Sequence, residues 1–221
     1  MKVFLHYCQF SIICVFLDIG CIHDWSSSYY LPGEHLLKKG SLLKTLPTLT
    51  KEWRISFELK PQNYDQAKCA QVLHLTIGGR GDRTPALWMC KKSGVVKVLI
   101  KTALNEKHNE GDFSDKKPPP IGEWTKVKIS QMRKRNPVGS QGPYYVFSLV
   151  IGGEIFMHEE NNSPTKFSNV KVYASSNWYP AQAGSIRGLK IETKQTGEPM
   201  SCNEDMILCK LKIDVSLKRS P

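Results

Sequence analysis

Acidic residues are scarce. Twenty Asp and Glu stand against thirty-one Lys and Arg in 221 residues, a formal charge of +11 with a pI near 9.3. Many catalytic and metal-binding signatures are absent too. There is no phosphate loop, no G-x-G-x-x-G, no C-x2-C pair with a nearby His pair, and no E-x-D-x-x-E. The first two absences remove the usual nucleotide-binding classes. The third removes a structural zinc site. The fourth removes the paired carboxylates that jelly-roll glycosidases place at strand spacing. No helix-period stretch of useful length and no internal repeat follows the N-terminal segment, and no later run reaches the ~20 apolar residues of a membrane span. Order is not lacking: 40% of residues are hydrophobic and 10% aromatic, enough for a core in one domain.

What the basic charge meets depends on where the chain resides. Lys2 precedes an apolar run, densest over Phe10 to Leu17, that closes at Asp18, Gly20 and Cys21. This is the pattern of a secretory signal peptide over residues 1–21. The expectation is a secreted, extracellular protein with no membrane span once the signal is removed. Removal takes one Lys and one Asp, so the charge stays +11, and it leaves Cys69, Cys90, Cys202 and Cys209. An even number suits an oxidising compartment. Four cysteines allow three pairings, and the short separations favour Cys69–Cys90 and Cys202–Cys209. Secretion sets nucleic acid aside and favours an acidic glycan or an extracellular matrix protein as partner.

Strand signals dominate the rest. Trp53 to Lys60 alternates apolar and polar residues and stops at Pro61; Val72 to Ile77 does the same before Gly78-Gly79. Further runs cover Pro85 to Met89, Val95 to Ile100, Trp124 to Ser130, Tyr144 to Ile151, Glu154 to His158, Asn169 to Ala174 and Gly188 to Glu192. Short alternating strands separated by Gly, Pro, Asn and Asp turns predict an all-β antiparallel sandwich or barrel. Gly152-Gly153 predicts a tight hairpin turn. Residues 105–121 read as an exposed loop, and Leu211 to Lys218 as an appended strand or a tail.

These runs resemble laminin G-like domains. Gly122 to Ile129 resembles the strand in which a Trp precedes an alternating Val/Ile run, and Tyr145 to Glu154 resembles that family's strand and hairpin, with Gly152 where Asn is usual. Val170 to Ala174 and Gly184 to Ile191 resemble its closing strands, and Leu42 to Lys60 fits the opening ones. The resemblance implies a concanavalin A-like jelly roll over residues 36–194, preceded by a segment 22–35 and followed by an extension 195–221 that carries the second cysteine pair. The wider superfamily includes binders of glycans, matrix proteins and receptors, and some hydrolases. Calcium-binding members use an Asp on a rim loop. Asp82 and Asp112 are available, but neither sits in a recognisable calcium motif, so no metal and no cofactor is expected.

Candidate sites follow. Lys126, Lys128, Arg133, Lys134 and Arg135, with Lys116 and Lys117 shortly before, offer a strip for sulfated or carboxylated glycan, since the guanidinium fork matches oxyanion geometry. The competing reading is a solvated face. Arg80-Gly81-Asp82 is the tripeptide read by integrins, or a turn capped by its Asp. Asn161 heads the single N-glycosylation sequon. Trp178-Tyr179-Pro180 stacks on sugar or packs in the fold. Glu159 and Glu160 are adjacent and face opposite sides of a strand; His74 and His158 lack the neighbours of a triad. The expectation is therefore a non-catalytic binding or matrix domain for an acidic or sulfated glycan. The alternatives are a carbohydrate-active enzyme on the same fold, or a structural protein of a mineralised or cuticular matrix or a venom component.

Overall fold

The structure, a computed structural model, describes residues 25–65, 68–79, 81–134 and 144–194. The segment 1–21 expected to be a signal peptide, Arg80, Arg135, Cys202 and Cys209 lie outside the described residues. In chain order the strands are β1 (Trp25–Leu36), β2 (Leu42–Leu49), β3 (Trp53–Pro61), β4 (Cys69–Thr76), β5 (Ala86–Lys92), β6 (Val95–Leu104), β7 (Lys107–Glu110), β8 (Phe113–Ser114), β9 (Thr125–Lys134), β10 (Tyr144–Ile151), β11 (Glu154–Asn161), β12 (Phe167–Tyr173) and β13 (Gly184–Lys194). No helix forms among the described residues. The strands build two antiparallel sheets, β1-β13-β3-β9-β10-β11 and β2-β12-β4-β5-β6-β7, with β8 also on β6. This is the expected two-sheet jelly-roll sandwich.

Alternation produces it. On β3, Trp53, Ile55, Phe57 and Leu59 point inward while Arg54, Ser56, Glu58 and Lys60 point out, because successive side chains leave opposite faces of a strand. Val127 and Ile129 of β9 and Phe147, Leu149 and Ile151 of β10 continue the inner layer. Leu46, Leu75, Leu87, Ile100 and Val172 of the facing sheet close the core over it. Each such side chain contributes about 1.5–3 kcal/mol on burial. The Gly152-Gly153 turn forms as expected. With φ of 60° and 91° it supplies the positive values that a two-residue hairpin loop requires, and Ile151 pairs with Glu154 across it.

Two elements differ from the sequence expectation. Residues 25–36, read as a segment ahead of the sandwich, form edge strand β1 against β13. Two register shifts and Pro32-Gly33 break its alternation, which hid it. Within 105–121, read as a loop, β7 and β8 pair with β6.

Strands β4 and β5 are buried on both faces. Their outer face carries a second cluster of Ala86, Trp88 and Cys90, packed by Cys69, Leu99, Phe113 and Tyr179. A register shift between Gln71 and Leu73 inserts one residue, so Gln71 turns outward opposite Trp88 while Leu73 turns inward opposite Leu87. The segment 175–182 then lies over this face. The Gln71 backbone N–H donates to Pro180 O, Gln182 N donates back to Gln71 O, and Ser176 N and Oγ both donate to Gln71 Oε1.

Candidate functional site

The six-stranded sheet presents the predicted basic strip. Lys126, Lys128 and Lys134 share the outer face of β9, and Arg133 belongs to the opposite row, beyond the edge of the core, where it reaches solvent. Cross-strand neighbours decide how much of this charge is free. On β3 and β13, Arg54 donates both Nε (2.6 Å) and Nη2 (3.0 Å) to Glu192, which also receives Lys190 at 2.7 Å. Arg187 Nε donates to Glu58 at 2.7 Å, and Lys60 lies 3.7 Å from Glu34. These hydrogen bonds hold the Glu58 and Glu192 carboxyls below the usual range and raise the two arginines.

Lys126 stands opposite Glu58, a carboxylate already engaged by Arg187. Lys128 lies between Ser56 and Val150, and Lys134 beside Tyr144, with no carboxylate on either side. Two aromatic rings complete this face. Trp124 carries Lys60 Nζ at 4.6 Å and the Arg187 guanidinium at 4.3 Å from its centroid; Trp25 carries Arg54 at 4.5 Å. The result is a flat platform of cations stacked on indoles, with an excess of positive charge along β9.

The outer face of β4 and β5 is different in kind. His74, fully buried, bonds through Nε2 to Asp82 O at 2.9 Å and meets Trp178 (5.4 Å) and Trp88 (6.3 Å). Burial drives its pKa down to about 4, so the imidazole is neutral at physiological pH. Arg83, 7% exposed, donates Nη1 to Gly81 O (3.0 Å) and Asn109 Oδ1 (2.5 Å) and Nη2 to the Tyr179 hydroxyl (2.8 Å). Its guanidinium lies 5.2 Å from the Trp88 centroid. Trp178-Tyr179 thus packs over the fold, with both rings half-buried. In the sequence, His74 stands out only as a histidine without the neighbours of a triad, and Arg83 does not stand out at all.

Gly81 is exposed, but Asp82 Oδ2 accepts the Gly79 amide N–H at 3.0 Å, so the Asp side chain caps its own turn. Asn161 is 1% exposed, and its Nδ2, the atom a glycan would occupy, donates to Gln131 Oε1 at 2.7 Å, while Oδ1 accepts from the amides of Asn105 and Ser163. In this structure the sequon's asparagine is an interior residue. Cys69 and Cys90 are bonded, joining β4 to β5 at directly paired positions. Asp112 bonds the next amide, that of Phe113. Among the described residues no three His, Cys, Asp or Glu side chains are grouped to hold a metal ion. Glu159 and Asp112 line an open groove of about 360 Å³ between β11 and β8, with Phe113, Phe156, Met157 and His158; Glu159 and Glu160 line an adjoining one of about 330 Å³. Lys116 pairs with Glu154 at 3.3 Å nearby.

No protein-family model and no curated protein matches the sequence. Solved structures do resemble the fold. The alginate lyase Aly36B shares 12% identity at a TM-score of 0.45 over 78% of this chain and 87% of its own. Domain 4 of AbnA, a GH43 extracellular arabinanase from Geobacillus stearothermophilus in complex with arabinotriose, shares 12% at 0.41 over 74% and 84%. The Botulinum neurotoxin serotype D binding domain shares 13% at 0.47 over 86% and 45%. These likenesses extend to the two-sheet sandwich and do not single out its laminin G-like subdivision. They also correct one expectation. A missing E-x-D-x-x-E pattern speaks to a single glycosidase motif, whereas alginate lyases, including those from Aplysia kurodai and a Chlorella virus, stand among the structures of similar fold. The exclusion of an enzyme is therefore withdrawn.

Proposed function

We propose that this protein engages an acidic glycan outside the cell through the outer face of its six-stranded sheet. The observation that carries the reading is the row Lys126, Lys128 and Lys134 on β9, cations in excess of their carboxylate neighbours, beside Trp124 with its two stacked cations. A polyanion laid along the strand meets the Lys126 and Lys128 ammonium groups about 7 Å apart and Lys134 about 20 Å further on, past Ser130 and Met132. The indole supplies an apolar surface for a sugar ring. A sulfated or carboxylated chain fits this surface better than a neutral one. Matrix proteins that carry such chains would be held in the same way.

Retention of the full chain on immobilised heparin and on a polyuronate, eluted with a salt gradient, tests it. Elution at a defined salt concentration is expected, moving to clearly lower salt in Lys126→Ala/Lys128→Ala. Absence of retention, or retention indifferent to salt and to this double variant, overturns the reading. One observation favours a second reading, chain cleavage: the open groove that brings Asp112 and Glu159 to its lining. New reducing ends released from the same polymers, and lost in Asp112→Asn/Glu159→Gln, would support it; intact polymers would refute it.

A further inference from the structure

Arg83 is a buried cation whose partners are all neutral: a carbonyl, an amide oxygen and a phenol. No carboxylate among the described residues lies within 4 Å of it, whereas Arg54 and Arg187 on the other sheet each have one. A guanidinium taken out of water without a counter-charge is costly, and such groups are ordinarily paired. The same patch holds the buried side-chain atoms that lack a protein hydrogen-bond partner. They are Arg83 Nε, Gln71 Nε2, Trp88 Nε1, His74 Nδ1, Thr84 Oγ1 and Ser175 Oγ, and no other such atom occurs among the described residues. Gln71 faces Trp88 in register and His74 faces Ala86, so β4 and β5 bring these groups to one side. Ser175 belongs to the covering segment.

The set has a chemical bias. Arg83 Nε, Gln71 Nε2 and Trp88 Nε1 can only donate. His74 Nε2 donates to the Asp82 carbonyl, so Nδ1 is left as an acceptor. Three spare donors around an unbalanced positive charge, with one acceptor beside them, suit an oxyanion that carries a neighbouring hydroxyl. We propose that the outer face of β4 and β5, beneath residues 175–182, is a binding site for one carboxylate or sulfate group of a small acidic sugar, headed by Arg83 and bordered by Gln71, Trp88 and His74. The site is separate from the basic platform on the opposite sheet and does not depend on it. Tyr179 and Trp178, half-exposed, form its outer wall. A ligand reaches Arg83 by displacing the Tyr179 side of that wall.

The test uses the full chain with sodium glucuronate and sodium sulfate as probes, each matched in ionic strength by sodium chloride. Melting temperature and tryptophan emission are followed, since Trp88 and Trp178 border the site. A saturable rise in melting temperature above the chloride control is expected for one or both probes, with a change in emission. Binding falls about tenfold or more in Arg83→Gln, which loses the charge-assisted contact. It is retained in Lys126→Ala/Lys128→Ala. Should Arg83→Gln fail to fold, Trp88→Phe serves instead, keeping an aromatic ring and removing the donor, and weakens binding severalfold. The proposal is overturned if neither probe exceeds chloride, if the response survives both site variants, or if it disappears with the two β9 lysines.

Discussion

His74 shows how a single residue's role depends on contacts the sequence does not display. In the chain it is one polar residue in the alternating run of β4, and alternation correctly turns it outward. Its burial comes from Trp178, about a hundred residues on, and from the turn whose Asp82 carbonyl accepts a hydrogen bond from its Nε2–H. The consequence is measurable. The folded imidazole titrates at about 4 against an ordinary 6.5, so the native state binds fewer protons than the unfolded chain between these values. Stability is fully present above pH 6.5 and falls as the pH drops towards 4, by about 2 kcal/mol at pH 5 relative to pH 7.5. Among the described groups with a resolved shift, the depressed carboxyls of Glu58, Asp115 and Glu192 act lower, below their ordinary values, and leave that window to His74. Urea denaturation at pH 7.5 and pH 5 is expected to show the loss in the parent and little of it in His74→Gln. An equal loss in both would place the effect elsewhere. Asn161 carries the same lesson: its sequon is plain in the chain, but the bonds to Gln131 and Asn105 that bury it are made across the fold.

At the scale of elements, most strands were legible because one face of each is wet. β3, β9 and β10 alternate cleanly, and their observed limits match the expected ones to within a few residues. Legibility fails where a strand is covered on both sides or is irregular. β4 and β5 hide a second cluster on their outer face, and the inserted residue between Gln71 and Leu73 changes which side chains share a side. Nothing local in the sequence announces either feature, since each depends on the 175–182 segment returning over the sheet. The Cys69–Cys90 pairing was legible from its short separation, and it ties these two strands at the end away from Pro85. Closing a loop of 21 residues' separation restricts the unfolded chain by about 3 kcal/mol. Cys69→Ser/Cys90→Ser should therefore unfold at lower denaturant by that amount. Trp88 sits on β5 and Arg83 in the connection between the two strands, so tryptophan emission should report their loosening in the same transition. A variant as stable as the parent would show that the sheet alone holds this face together.

For the whole molecule, the charge of +11 was legible from composition, but its distribution was not. Ion pairs on the six-stranded sheet set Arg54 and Lys190 against Glu192 and Arg187 against Glu58, three cations on two carboxylates, through contacts fixed by strand register between distant segments. On β9, Lys128 and Lys134 face no carboxylate across the ladder and add to that surplus. This arrangement makes the polyanion reading testable in the direction opposite to charge removal. Glu58 is half-exposed, opposite Lys126 and bonded to Arg187, and exposed pairs of this kind contribute only ~0–1 kcal/mol, so its loss should leave the fold intact. Glu58→Gln then uncovers two cations beside Trp124. If the outer face of this sheet is the surface that meets an acidic chain, the variant should elute from heparin at higher salt than the parent, while Lys126→Ala/Lys128→Ala elutes at lower salt. The gap should shrink towards ~1 M salt, where the screening length falls to about 3 Å. A polyanion held mainly elsewhere would be nearly blind to Glu58, because a charge on the far side of the sandwich is screened at ordinary ionic strength. Unchanged elution of Glu58→Gln would therefore move the binding surface off this sheet, even if the protein as a whole still bound.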